Sequence, residues 1–128
     1  MKLLLDTHTL LWVFGEPERL GDRAARAIVD TRNALFVSAA SLWEISIKVS
    51  LRKLDLGKRW ARQLDRRMAD LGIALLPIAL PHCERLSRLP HHHKDPFDRL
   101  IAVQSLAEKL VIVSRDKQFD AYGVRRIW

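Results

Sequence analysis

An internal disulfide is closed to this chain, because Cys83 is the only cysteine among its 128 residues. A reducing, cytoplasmic setting is the expectation, with Cys83 as a small core residue; nothing near it reads as a base apart from the adjoining His82. Long apolar runs are missing too. The opening MKLLLDTHTLLWVF is broken by Asp6 and His8, which makes a poor signal-peptide core, and no stretch approaches the roughly 20 apolar residues of a membrane span. No membrane association is expected. Neither G-x-G-x-x-G nor G-x-x-x-x-G-K occurs, so nucleotide-cofactor folds lack their phosphate loop. Internal repeats, low-complexity tracts and linkers are also absent, and a single domain over residues 1–128 is expected. Finally, acid is in deficit: 15 Asp and Glu stand against 22 Lys and Arg, a formal charge of +7. A basic surface attracts phosphate backbones, which makes nucleic acid the leading class of partner, although the same charge also serves solubility.

What is present is an alternation of short apolar runs with helical patterns. Lys2–Leu5, Leu35–Val37, Ala74–Ile78, Leu110–Val113 and Val124–Trp128 read as strands, the third weakened at its end by Pro77. Between them, helical spacing covers Thr7–Phe14, Asp22–Thr31, Ala39–Leu51, the Trp60, Leu64, Met68 and Leu71 stripe, Pro81–Leu89, and Pro96 to about Lys109. A short helical turn is expected near Lys117–Tyr122. Ser38 and Ser41 are cap candidates for the third helix. Strands separated by helices imply an α/β fold whose parallel sheet is covered on both faces.

In such sheets the ligand cleft lies beyond the carboxyl ends of the strands. Asp6 and Asp116 follow two strands directly. Within HHHKDPFDRLIAVQS, from His91 to Ser105, Asp95 precedes Pro96 at a helix start and reads as the cap, while Asp98 falls in the first helical turn. Glu44 stands among Leu42, Trp43, Ile45 and Ile47, where a carboxylate needs a cation or a way off the apolar face; Lys48 at i+4 is one such cation. If the first and fourth strands are neighbours, Asp6, Glu44, Asp98 and Asp116 can converge. Gathered carboxylates repel unless a cation sits among them, and all-oxygen ligands suit Mg²⁺ or Mn²⁺. A metal so held activates water against a phosphodiester, so a basic chain with an acidic pocket reads as a nuclease. Arg99, Arg115 and Lys48 are expected to guide phosphates. His91, His92 and His93 cannot all face one ion and belong to a solvated loop, with His93 the best placed to approach substrate.

Four blocks, LLLDTHTLLW, VSAASLWEISIK, HKDPFDRLIAVQ and VSRDKQFDAYGV, together resemble the PIN-domain ribonucleases, in particular the VapC-type toxins of toxin–antitoxin pairs. The resemblance implies a three-layer α/β/α fold with sheet order 3-2-1-4-5. It implies a metal-dependent endoribonuclease whose acids correspond to Asp6, Glu44, Asp98 and Asp116. It also implies homodimerisation and a VapB-type antitoxin packing over the cleft. Ser114 stands where Thr is common, and no acid of the pattern is missing. The rivals are a non-cutting binding module and a phosphotransfer receiver; the latter wants a second acid at the first strand, where this chain has Thr7 and His8. Of Trp12, Trp43, Trp60 and Trp128, at least one is expected to serve an interface.

Overall fold

A computed structural model describes residues 1–128. Five parallel strands form one sheet in the order β3-β2-β1-β4-β5, made of β1 (Lys2–Leu5), β2 (Ala34–Ser38), β3 (Ile73–Leu76), β4 (Val111–Val113) and β5 (Arg126–Ile127). Six helices connect them: α1 (Thr7–Gly15), α2 (Asp22–Val29), α3 (Ala39–Ser50), α4 (Trp60–Asp70), α5 (Leu80–Leu86) and α6 (Pro96–Glu108). Two 3-10 helices, Pro17–Arg19 and Lys117–Tyr122, complete the chain.

The central strand shows why the sheet needs cover on both sides. Leu3, Leu4 and Leu5 are all fully buried, and because successive side chains point to opposite faces they feed two separate cores. Leu3 and Leu5 join Val37, Val113 and the apolar sides of α1, α2, α3 and α4. Leu4 and Ile112 meet Ile101, Val103 and Phe119 on the other face. Pairing of Leu5 with both Val37 and Val113 sets the carboxyl ends of β1, β2 and β4 side by side.

Three sequence expectations are corrected here. The third strand starts at Ile73, directly after Gly72 reverses the chain at φ +65°, and stops before Pro77. The last strand is only Arg126–Ile127. Cys83 is exposed: in the short α5 the inward position is taken by His82, whose Nδ1 accepts from Ala79 N (3.0 Å) and whose Nε2 bonds Glu108 (2.9 Å), so the next residue turns outward. No helix is long and apolar enough to cross a membrane.

Candidate metal centre

Three of the four sequence-picked acids stand where a strand or loop hands over to a helix. Asp6 ends β1 and caps α1, its Oδ1 accepting from Thr9 N at 2.8 Å. Asp116 follows β4 and caps the Lys117–Tyr122 helix, its Oδ1 accepting from Gln118 N at 2.8 Å. One hydroxyl joins them: Ser114 Oγ donates to Asp6 Oδ2 and accepts from Asp116 N at 3.0 Å. Thr9 Oγ1 adds a bond to Val113 O at 2.8 Å, pinning the start of α1 to β4. The two strand-end carboxylates are therefore held in one rigid frame.

Glu44 reaches the same edge from α3. It is buried, its Oε1 accepts from the Thr7 hydroxyl at 2.6 Å, and its Oε2 pairs with Lys48 Nζ at 2.9 Å. The Thr7 hydroxyl also lies 2.9 Å from that of Ser41, which is thus spent inside the site and leaves Ser38 alone as the cap of α3. Burying a carboxylate is costly without such partners. Lys48, expected to guide phosphate, neutralises Glu44.

Asp98 lies half-buried in the first turn of α6. Asp95 does the capping, accepting from Phe97 N (2.8 Å) and Asp98 N (3.3 Å). The carboxyl of Asp98 is pushed up to about 7, first by burial and then by the negative charges of Asp95, Glu44, Asp6 and Asp116. Charges on elements far apart in the chain, those of Asp6, Glu44 and Asp116, are thus felt together at Asp98.

Two predicted substrate contacts are corrected. Arg99 is only 9% exposed, and its guanidinium donates to the carbonyls of Pro90 (2.8 Å), Leu89 (3.2 Å) and Leu86 (3.4 Å). It holds the loop before α6 in place and has no free face for a phosphate. His93 does not lie in a solvated loop. It is 6% exposed, packed on Phe119 and stacked on Tyr122. The Tyr122 hydroxyl accepts from His93 N at 2.9 Å and lies 3.0 Å from Nδ1. A carboxylate can only accept, so Nε2 carries a proton and donates it to Asp116 Oδ2 at 2.7 Å. Arg115 remains exposed beside the acids. Tyr122, Thr7, Ser41 and Ser114 were not picked from sequence as site residues; only the clustering of hydroxyls around the acid-bearing blocks hinted at them.

The donor set fits a divalent cation. Ligand atoms of His93, Asp98 and Asp116 lie within 4.8 Å of one another, and Asp6 and Glu44 stand near enough to raise the carboxyl of Asp98. With His93 donating its proton to Asp116, the ligands on offer are carboxylate oxygens, the chemistry of Mg²⁺ or Mn²⁺ more than of zinc. Orientation of a ligating carboxylate by a hydrogen-bonded histidine is typical support for such a centre.

Known proteins resemble this chain in sequence and in fold. Ribonuclease VapC22 of Mycobacterium tuberculosis (strain ATCC 25618 / H37Rv) is 29% identical over 127 residues, covering 94% of this chain and 91% of that protein. Among solved structures, VapBC2 from Rickettsia felis bound to a DNA fragment from their promoter superposes with a TM-score of 0.78 at 16% identity, over 99% of this chain and 98% of that one. DNA-bound VapBC from Salmonella typhimurium gives 0.71 at 17% identity, over 99% and 97%. These likenesses are of fold. The PIN domain family model matches residues 3–124, nearly the whole sheet together with every acid at its edge, and the chain belongs to the PIN domain family.

Proposed function

We propose that residues 1–128 act as a single-domain, metal-dependent endoribonuclease, the toxin of a toxin–antitoxin pair, hydrolysing RNA phosphodiester bonds with a metal-activated water. The observation that carries this reading is the convergence of ligand atoms from Asp98, Asp116 and His93 within 4.8 Å, with Asp6 and Glu44 close enough for their charges to raise the carboxyl of Asp98. Gathered carboxylates of this kind are relieved by a cation. Support comes also from the ribonuclease VapC22 likeness and from structural neighbours named as VapBC complexes.

Asp6, Asp98 and Asp116, with Glu44, would hold Mg²⁺ or Mn²⁺. When bound, such an ion supplies positive charge for the phosphate under attack and lowers the pKa of the attacking water. The chain's own groups prepare this. Ser114 fixes one oxygen of Asp6, His93 fixes one oxygen of Asp116, and Lys48 with Thr7 orients Glu44. The exposed Arg115 offers its charge to the RNA backbone.

The partners in this reading are an RNA substrate, a VapB-type antitoxin and a second copy of the chain, in the cytoplasm. Trp43 supports a partner surface, being 61% exposed beside Glu44 and edge-on to Phe97 at 5.4 Å. The test is cleavage of end-labelled RNA with Mg²⁺ or Mn²⁺, with chelator, and by D6N and D98N. Cleavage only by the wild type with metal is expected; cleavage surviving both chelator and D6N rejects the reading.

A further inference from the structure

The acid edge opens on its α1 side into a hollow of about 550 Å³, within the roughly 300–1,000 Å³ range of small-ligand sites. Asp6 and Asp116 line it together with His8, Trp12, Arg19, Arg115 and Lys117. Its wall therefore combines two carboxylates of the candidate metal centre with three cations and one indole. Trp12 is half-buried, tilted against Trp128 at 5.5 Å and against the exposed His8 at 5.8 Å. The guanidinium carbon of Arg19 lies 4.8 Å over the Trp12 ring, and its sole carboxylate contact is a long, exposed one to Glu16 at 3.4 Å.

Elsewhere near the acids Lys48 is committed to Glu44 and Arg99 to three carbonyls. On the wall of the hollow Arg115 and Lys117 are exposed and form no ion pair within the chain. A partly exposed indole carrying a guanidinium on its face is a stacking platform, because both planar groups accept the face of an unpaired base. A duplex keeps its base faces covered and gains little from such a platform.

We propose that this hollow is the binding subsite for the nucleotide adjoining the scissile phosphate of single-stranded RNA. Its base stacks on the Arg19 guanidinium, which the Trp12 ring backs, and its backbone phosphate is held by Arg115 and Lys117. The assignment rests on the ribonuclease reading and names where that reading's substrate lies.

The experiment is anisotropy of fluorescein-labelled eight-nucleotide RNAs (A8 and U8) in Mg²⁺, with KM and kcat for cleavage of end-labelled RNA and calorimetric Mn²⁺ affinity. The variants are R19A, W12L, the R115A/K117A pair, and R62A/R66A on the exposed basic face of α4. R19A and W12L should each weaken RNA binding about tenfold and raise KM, with Mn²⁺ affinity unchanged. R115A/K117A should weaken both RNAs alike, and R62A/R66A should change little. Wild-type binding by both R19A and W12L overturns the subsite, as does a loss confined to R62A/R66A. Arg19 is exposed in a surface turn, so R19A decides the matter alone if W12L does not fold. A wild type that cleaves RNA while R19A is unaffected sinks the subsite and spares the ribonuclease reading; a wild type that neither binds nor cuts RNA sinks both.

Discussion

His93 Nε2 donates to Asp116 Oδ2 at 2.7 Å across 23 positions of sequence, and Tyr122 holds the far side of the ring, its hydroxyl 3.0 Å from Nδ1. The imidazole works as a fixed donor that aims a carboxylate. H93Q, whose amide N–H can take over that bond, should keep most of the Mn²⁺ affinity. H93A should lose about tenfold, the lower end of what an orienting partner contributes. Isothermal titration calorimetry checks both, and equal affinity in wild type and H93A would remove His93 from the centre.

Asp98 makes the metal-free protein pH-sensitive in a definite direction. Its folded carboxyl sits at about 7, above its ordinary value of 3.8, so the folded state binds the extra proton between those limits. The stabilisation is complete below about pH 4 and is lost as pH rises through 7. With chelator present, D98N should therefore raise the melting temperature at pH 8 and change it little at pH 4. The gain should be on the order of 1–2 kcal/mol, because solvent still reaches the carboxyl and screens it. Metal should close the gap in the wild type only, and its affinity should fall as pH drops below 7.

Arg99 should behave as a structural residue. R99A strips three carbonyls of their charged donor inside the protein and should cost about 2–3 kcal/mol in urea unfolding. R99K should recover only part of that, since one ammonium cannot span the geometry of the planar fork. A variant R99A that is as stable as wild type but binds RNA poorly would contradict this.

Gly21 offers a steric test. A Cβ added there would lie 2.7 Å from the backbone carbon of Trp128 and 2.8 Å from its indole. G21A should destabilise by about 1–3 kcal/mol and push Trp128 away from Trp12, 5.5 Å distant. Thermal melting with tryptophan fluorescence reads both effects.

Periodicity and turn residues were enough to place the five strands and the acids at their ends, because a fully buried run such as Leu3 to Leu5 and a cap such as Asp95 are local properties. The sheet order 3-2-1-4-5 came from the family resemblance and is observed. What local pattern cannot carry is the destination of a long polar side chain. Arg99 folds back on Leu86, Leu89 and Pro90, and His93 turns in toward a strand end 23 residues later. Both outcomes depend on the path of an irregular loop. Cys83 failed for a related reason: seven residues of α5 carry too little apolar pattern to tell inside from outside.

Asp6 and Asp116 each begin a helix as well as facing the cleft. Helix capping asks only for a side-chain oxygen, which asparagine also has, whereas drawing in a divalent ion asks for full negative charge. At Asp6, whose second oxygen faces the Ser114 hydroxyl, one nitrogen for one oxygen would thus keep the cap and remove the charge, whereas at Asp116 the amide would meet the N–H of His93 head-on. On the proposed reading, an inert copy of this chain lies a single codon change away at Asp6, and foldedness alone would not tell it from the working form.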